Sequence, residues 1–504
     1  MTLAAFTGRE TFDPVPSVGV LASLELNALA ESPTGTTLGI FVSPGGDLPK
    51  HSPLDWNGLA AVGFEAKMGQ TVPLPTDDGR LILAGLGDGN LDANGLRDAA
   101  AAISRATSQV AEIAIELPGV LPAAEEAQLA VEGVTLARYR YDALKSKPTV
   151  TAVSTLTLVG GDAAAIAEGA ERGRAMAEAT TISRDLANTP PALLTAAQMA
   201  DVAVRLGAER GLEVEVFDED DLKAMACGGM LGVNAGSTEP PRLIKITFEP
   251  EDGGEATLSL VGKGIMYDAG GLALKPADPV HAAMKNDMSG AGAILGTMVN
   301  LGRLGCANKV VAFLCCTDNR PSGSAIAMGD VLAVRGGTTV EVANTDAEGR
   351  LVMADGLVLA TEEPTDAIVD IATLTGAAMR TMGTEIAVVM GNHGALVGQV
   401  EAAAQRVDEP VWELPLARRY RKQLDSTVAD IKNLGGANAG SITAGLFLEE
   451  FVAGKPWAHI DIAGVADNES DASWRPPGCT GFGARLLAEL ALEFTAPLPG
   501  KDAR

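Results

Sequence analysis

The sequence is poor in aromatic residues, histidines and paired cysteines. Phe, Trp and Tyr make up 4% of its 504 residues, so small side chains rather than aromatic anchors must pack the core. Only four histidines occur, and none forms an HxxxH or HExxH pair, which excludes a zinc site of that kind. The five cysteines form no CxxC motif, which favours reduced, buried thiols over a redox or zinc role.

Long apolar runs and basic charge are also missing. No stretch of about 18 apolar residues occurs, and the N-terminus lacks a secretory signal pattern, so we predict a cytoplasmic protein with no membrane partner. Lys and Arg number 38 against 65 Asp and Glu, a net charge of −27. Because nucleic acid attracts basic surfaces, this charge argues against a nucleic-acid partner. The apolar fraction of 47% excludes wholesale disorder.

Strand-like and helical segments alternate along the whole chain. In residues 1–160, apolar runs at 19–24 and 37–42 read as strands, and the Ala-rich stretch 96–109 as a helix, which predicts an N-terminal α/β domain. A long helical pattern from Asp162 to Asn188 ends at two prolines, and we assign residues 161–190 as a connecting helix.

The remainder, residues 191–504, is predicted to form a C-terminal α/β domain. Its sheet is expected to be mainly parallel or mixed and flanked by helices. The predicted strands are 257–261, 310–315, 367–371 and 458–462, and the predicted helices include 351–361 and 444–452. In such sheets, ligands bind beyond the carboxyl ends of the strands.

Charged residues cluster after several of these strands. They are Lys263, Asp268, Lys275, Asp287, Asp346, Glu348 and Arg350. On extended chain, Asp346 and Glu348 would lie on one side, roughly 7 Å apart. Two such carboxylates repel each other unless a cation lies between them or one is protonated. A solvated turn with an ordinary helix cap is the alternative for this pair.

The other acids strengthen the metal hypothesis. Asp268 and Asp287 stand among glycines and small residues, where burying four acids without positive charge would be costly. Two divalent cations about 3.5–4 Å apart would supply that charge. Oxygen ligands suit Mn²⁺ or Mg²⁺ and permit Zn²⁺. One of the lysines at 263 and 275 could be a neutral nitrogen ligand of the metal, while the other stays charged and faces the negative charge that develops on an oxygen during the reaction. The alternative is that both are ordinary surface lysines.

These residues resemble a known family, the leucyl (cytosol) aminopeptidases of metallopeptidase family M17. The octapeptide NTDAEGRL at 344–351 is highly specific, and other motifs occur in the family's order over roughly residues 180–495, whereas the first 160 residues match only in size and α/β character. These motifs are NTPP at 188–191, GSTEPPRLI at 236–244, VGKG at 261–264, YDAGG at 267–271, TLTG at 373–376 and WAHIDIAG at 457–464.

The resemblance implies a site made of matching positions. Lys263, Asp268, Asp287 and Glu348 would hold one divalent metal ion, and Asp268, Asp346 and Glu348 the other, with Mn or Zn as the metal. Lys275 would be the electrophilic lysine that polarises the scissile carbonyl, and Arg350 would hold a bicarbonate ion acting as general base. The substrate pocket would include Met284, Asn344, Thr373, Leu374 and Gly376.

The resemblance also implies the reaction and the assembly. The chain would hydrolyse the N-terminal, leucine-like residue from peptides with a free N-terminus by a two-metal, bridging-water mechanism, as a homohexamer. The N-terminal domain would serve assembly or regulation.

The sequence departs from the family pattern at two places. Ala269 replaces a usual serine, and the 276–286 loop is one residue longer than the common pattern. A two-metal phosphoesterase and a catalytically weak regulatory or scaffolding relative are the alternatives.

Overall fold

The computed structural model describes residues 11–50, 52–77, 79–87 and 91–498. These residues divide into two compact units. The first comprises residues 16–181 and 468–480, and the second comprises residues 11–15, 182–467 and 481–498. Each unit contains its own sheet flanked by helices, so the predicted α/β class is confirmed.

The first unit is built on a six-stranded sheet of order β1-β6-β5-β2-β4-β3. All neighbouring strands are parallel except the antiparallel pair β3 and β4. Its strands are β1 (Glu25–Leu29), β2 (Thr37–Val42), β3 (Thr71–Thr76), β4 (Gly79–Gly85), β5 (Glu112–Glu116) and β6 (Thr155–Val159). Its helices are α1 (Pro16–Ala22), α2 (Trp56–Ala61), α3 (Ala93–Ala106) and α4 (Ala123–Arg138), followed by α5 (Ala163–Asn188), which continues into the second unit.

One strand prediction in this unit is wrong. Residues 19–24 were expected to be extended, but helix α1 covers most of them. Pro16 is its first residue, and a proline there has its φ already set for a helix while its missing N–H group would be unpaired in any case.

The second unit contains an eight-stranded mixed sheet of order β15-β14-β17-β13-β9-β10-β8-β7. Its four central strands, β17, β13, β9 and β10, are mutually parallel. The strands are β7 (Glu213–Phe217), β8 (Arg242–Phe248), β9 (Thr257–Asp268), β10 (Lys309–Asn319), β13 (Ala367–Ala372), β14 (Ala387–Gly391), β15 (Val411–Glu413) and β17 (Trp457–Asp461). A small sheet of this unit is formed by β11 (Val331–Ala333), β12 (Thr339–Glu341) and β16 (Ile431–Lys432). The short strands β18 (Asp467–Asn468) and β19 (Gly478–Cys479) pair with each other around the 468–480 segment of the first unit.

Helices flank this sheet. They are α6 (Ala196–Arg210), α7 (Glu219–Ala224), α8 (Gly228–Asn234), α9 (Pro279–Ala283), α10 (Ser289–Met298), α11 (Gly349–Glu362), α12 (Gly376–Met382), α13 (Gly394–Val407), α14 (Gly440–Glu449) and α15 (Ala484–Glu493). A buried apolar cluster joins α11 and α14 to the sheet, with Leu351 and Phe447 packed among Val261, Ile368 and Trp457. The start of α11 is thereby fixed beside the carboxyl ends of the parallel strands.

All five cysteines are buried, as predicted. In the described part of the chain, no helix is both long enough and apolar enough to cross a membrane.

Candidate metal centre

The charged cluster lies where the central parallel strands end. Lys263 is inside β9, and Asp268 is the last residue of that strand. Asp287 follows a short 3-10 turn, Met284–Asn286, that precedes α10. Glu348 is the residue just before α11. The four positions come from three separate segments, and the crossovers of the sheet bring them to one edge.

Lys263 is almost fully buried, with 3% of its surface exposed. Its Nζ lies 2.8 Å from Asp287 Oδ1, 2.9 Å from the Thr373 carbonyl oxygen and 3.0 Å from Glu348 Oε1. Burial alone would lower the pKa of Lys263, but the carboxylates around it raise that pKa instead. All three ammonium hydrogens therefore have an oxygen to bond to.

Lys275 joins the other two acids. Its Nζ lies 2.7 Å from Asp268 Oδ2 and 2.6 Å from Asp346 Oδ1. Asp268, Asp346 and Glu348 each offer one carboxylate oxygen within 4.8 Å of the others. The structure therefore gathers all four predicted acids and both lysines around one small volume.

Asp346 and Glu348 are not on extended chain. They lie in a turn that leads directly into α11, so their oxygens come closer than the roughly 7 Å expected for a strand. The helix begins at Gly349 rather than at about residue 351, which places Arg350 in its first turn. Because a helix N-terminus carries partial positive charge, this position favours anions.

The carboxylates shift one another's pKa values. Burial, together with the charge of Glu348, raises the pKa of Asp268 to about 6. Burial also raises the pKa of Asp287 well above its ordinary value. Burial opposes ionisation of Glu348 too, but Lys263 and Lys275 outweigh it and lower that pKa. Crowded oxygen donors of this kind fit a divalent cation, which would stabilise their ionised forms.

Arg350 is 5% exposed, and its Nη1 donates no hydrogen bond to any described residue. Burial lowers the pKa of its guanidinium to about 10, although Glu348 and Asp461 act in the opposite direction. A buried cation with an unpaired donor fits a small anion.

The predicted pocket residues differ in how directly they contact this cluster. Thr373 is the most closely integrated, because its hydroxyl donates to Asp287 Oδ1 at 2.7 Å. Asn344 Oδ1 accepts the N–H of Asp346 at 2.9 Å. Leu374 is half-buried and donates its N–H to Asp461. Met284 begins the 3-10 turn before Asp287, and Gly376 is the exposed first residue of α12.

Two further buried residues support the site and were not identified from the sequence. Asn319, the last residue of β10, donates to Asp268 and Glu348. Asp461, the last residue of β17, accepts the N–H groups of Leu374 and Thr375. A polar residue at the carboxyl end of a buried strand was the signal that would have identified both.

Two family models match most of the chain. The catalytic-domain model of the cytosol aminopeptidase family matches residues 181–488, and the family's N-terminal-domain model matches residues 56–148. The chain belongs to the cytosol aminopeptidase family. Membership confirms the resemblance drawn from the motifs and extends it to the N-terminal part, where the motifs gave no sign of it.

Curated relatives and solved structures agree with this membership. A probable cytosol aminopeptidase from Streptomyces avermitilis is 41% identical, with 96% of this chain and 98% of the relative covered. One from Leifsonia xyli is 43% identical over 87% of this chain and 90% of the relative. The bottromycin maturation enzyme BotP, solved in complex with Mn, is similar in structure, with a TM-score of 0.83 and 36% identity over 91% of this chain and 99% of that one.

Proposed function

We propose that this family member is a metal-dependent aminopeptidase that removes N-terminal, leucine-like residues from peptides. The observation that carries the proposal is the convergence of Asp268, Asp346 and Glu348 within 4.8 Å. The names of the relatives and the Mn complex of BotP support it.

The acids and one lysine would hold two divalent ions, with Mn or Zn as the metal. Lys263, Asp268, Asp287 and Glu348 are assigned to one ion, and Asp268, Asp346 and Glu348 to the other. Bound ions of this kind supply Lewis-acid polarisation of a peptide carbonyl and activation of water. The substrate's free amine completes the recognition, which is why a blocked N-terminus should prevent cleavage.

Two cationic residues of the chain would act beside the ions. Lys275, the more exposed of the two lysines, would face the scissile carbonyl oxygen and stabilise the negative charge that develops there. Arg350 would hold a bicarbonate ion through its unpaired Nη1. Since the nearby carboxylates are assigned as ligands, that anion would accept the proton released by the attacking water.

The test compares leucine anilide with N-acetyl-leucine anilide in the presence of Mn²⁺. We expect cleavage of the first only, and loss of that cleavage when a chelator removes the metal. Equal cleavage of both substrates would contradict recognition of the free amine. A folded, Mn²⁺-loaded chain that cleaves neither anilide nor unblocked peptides would contradict the proposed activity and favour a regulatory or scaffolding role.

A further inference from the structure

The amide of Asn319 makes three contacts at the centre of the site. Its Nδ2 donates to Asp268 Oδ1 at 2.8 Å, to the Thr345 carbonyl oxygen at 3.0 Å and to Glu348 Oε2 at 3.2 Å. An amide nitrogen carries two hydrogens, so at least one of them is shared between acceptors. Asn319 is 2% exposed, so these contacts are shielded from solvent.

An irregularity in strand pairing creates this arrangement. Thr317 pairs with Ile265, but Asn319 pairs with Asp268, so β9 contains one more residue than β10 over this interval. On a regular strand, Lys263 and Asp268 are five positions apart and would point to opposite faces. The extra residue reverses the alternation and places Asp268 directly opposite Asn319.

The amide occupies one oxygen on each carboxylate. Asp268 Oδ1 accepts from Asn319 and from the Gly270 N–H, which leaves Oδ2 facing Lys275 at 2.7 Å. Glu348 Oε2 accepts from Asn319, which leaves Oε1 facing Lys263 at 3.0 Å. Because an amide is neutral, it orients both carboxylates without adding a positive charge that would repel a cation.

We propose that Asn319 is a positioning residue that fixes the orientation of Asp268 and Glu348, the two carboxylates assigned to both metal ions. This inference rests on the proposed function and deepens it. Hydrogen bonds to metal ligands commonly change metal affinity by about 10–100-fold, so removing this donor should weaken metal binding by a factor in that range.

The experiment measures Mn²⁺ affinity by calorimetry in three variants of the full chain. Asn319→Ala removes the donor, and Asn319→Asp keeps the shape but replaces the donor with acceptors. Asn308→Ala is the matched control. Asn308 precedes the other end of β10, is 3% exposed and donates to the Ala491 and Phe494 carbonyl oxygens at 2.9 Å.

We expect both Asn319 variants to lose about 10–100-fold in Mn²⁺ affinity, and the Asn308 control to stay near the parent value. Electron paramagnetic resonance adds a readout that a general loss of stability would not move, because coupling between two Mn²⁺ ions depends on how carboxylates bridge them. The Asn319 variants should lose the coupled spectrum at saturating Mn²⁺.

The outcomes separate this inference from the proposed function. Parent-like Mn²⁺ affinity and coupling in folded Asn319→Asp would overturn the positioning role while leaving the proposed activity intact. A parent protein that binds paired Mn²⁺ but cleaves no peptide would contradict the proposed activity, and weaker binding in the variants would still support the positioning role. A parent that binds no Mn²⁺ would contradict both.

Discussion

At the scale of single residues, Lys263 and Lys275 contact the same group of acids from different surroundings. The side chain of Lys263 is 3% exposed and surrounded by three acceptors, whereas that of Lys275 is 17% exposed and bonded to two. Of these two lysines, only Lys275 has an ammonium hydrogen that is not bonded to a described residue, and this hydrogen is available for an incoming carbonyl oxygen. Two lysines that their sequence neighbourhoods left interchangeable thus have different surroundings, and this difference supports the separate roles proposed for them.

Replacing Lys275 should separate turnover from metal binding. In Lys275→Met, we expect kcat to fall by about 10²–10³-fold, since one charge-stabilising donor is lost. Mn²⁺ affinity should stay equal or increase, because the ammonium no longer pairs with Asp268 and Asp346. Steady-state kinetics and calorimetry check both. Lys309→Met, which breaks a pair with Glu249, is the control. A large loss of Mn²⁺ affinity would show that Lys275 does not act as assigned.

The buried guanidinium of Arg350 gives a second prediction. Parent kcat should rise with added bicarbonate, whereas Arg350→Met should be slower by about 10²-fold and insensitive to bicarbonate, because a general base of this kind contributes at least that much. Arg335→Met is the control, as Arg335 binds Glu362 at the opposite end of α11. A variant that keeps the bicarbonate response would mean that the anion binds elsewhere or is not needed.

Many of the residues in the site were predictable at this scale because residue types and their spacing indicate which side chains can bind a metal. The acids at 268, 287, 346 and 348 were identified from their Gly-rich surroundings, and their assignment as ligands stays a prediction. The geometry of Asp346 and Glu348 was not predictable, since a turn and a strand both tolerate that sequence. Asn319 was missed because its role depends on the pairing irregularity between β9 and β10, which the sequence of either strand does not show.

At the scale of elements, the loop after β13 depends on one carboxylate. Asp461 is 1% exposed and accepts the N–H groups of Leu374 at 3.1 Å, Thr375 at 3.3 Å and Ala463 at 3.2 Å, with the Thr375 hydroxyl at 2.7 Å. The same loop provides the Thr373 carbonyl oxygen that binds Lys263. The carboxylate thus links the end of β17 to the site.

Removing that carboxylate should damage both stability and substrate binding. Thr375 is buried, and its N–H and hydroxyl would both lose their acceptor at a cost of about 1–3 kcal/mol each, so Asp461→Ala should lower the free energy of unfolding by about 2–6 kcal/mol and raise KM. Urea unfolding and steady-state kinetics check these effects. Asp430→Ala is the control. The exposed carboxylate of Asp430 accepts similar bonds from the N–H and hydroxyl of Thr339, and its removal should not change KM. An unaltered KM in the Asp461 variant would show that the loop does not contact substrate.

Helix α11 contains a buried acid that makes stability depend on pH. Asp355 is fully buried and accepts the N–H groups of Met230 and Arg335, each at 2.8 Å. Burial raises its pKa from 3.8 to about 7. Between about pH 4 and pH 7 the unfolded chain has lost a proton that the folded chain retains, so stability from this group falls as pH rises through that window.

Asp355→Asn should remove this dependence. The free energy of unfolding of the variant relative to the parent should rise from about pH 4 to pH 7 and level off above, because only the parent titrates there. Urea unfolding at several pH values measures the difference. The variant also loses an acceptor, which changes its stability by a constant amount. A difference independent of pH would mean that the pKa of Asp355 is not raised.

Element types were more predictable than their limits. The strands expected at 257–261 and 310–315 are present, but β9 and β10 extend to Asp268 and Asn319. The predicted strands are too short because the apolar pattern stops where the polar residues of the site begin, although the backbone stays extended beyond that point. The run at 19–24 was misassigned because a short apolar segment suits a strand and a helix equally, and Pro16 decides between them.

At the scale of the whole molecule, the mainly parallel centre of the second unit explains where the site lies. Four neighbouring strands run in one direction, so residues far apart in sequence, such as Lys263 and Thr373 at 110 positions, meet at one edge. It stays a prediction that the first unit serves assembly or regulation.

The predicted homohexamer can be tested through charge. Each chain carries a net charge of −27, so subunits repel one another, and salt should stabilise the assembly because it screens that repulsion. We expect a mass of about six times 51.5 kDa by light scattering at moderate salt, with dissociation beginning at low ionic strength and high dilution. Aminopeptidase activity should be measured at the same salt concentrations and dilutions. A species at 51.5 kDa in all salt concentrations would contradict the hexamer. A hexamer that loosens as salt is added would instead show that ion pairs, rather than apolar contacts, hold the subunits together.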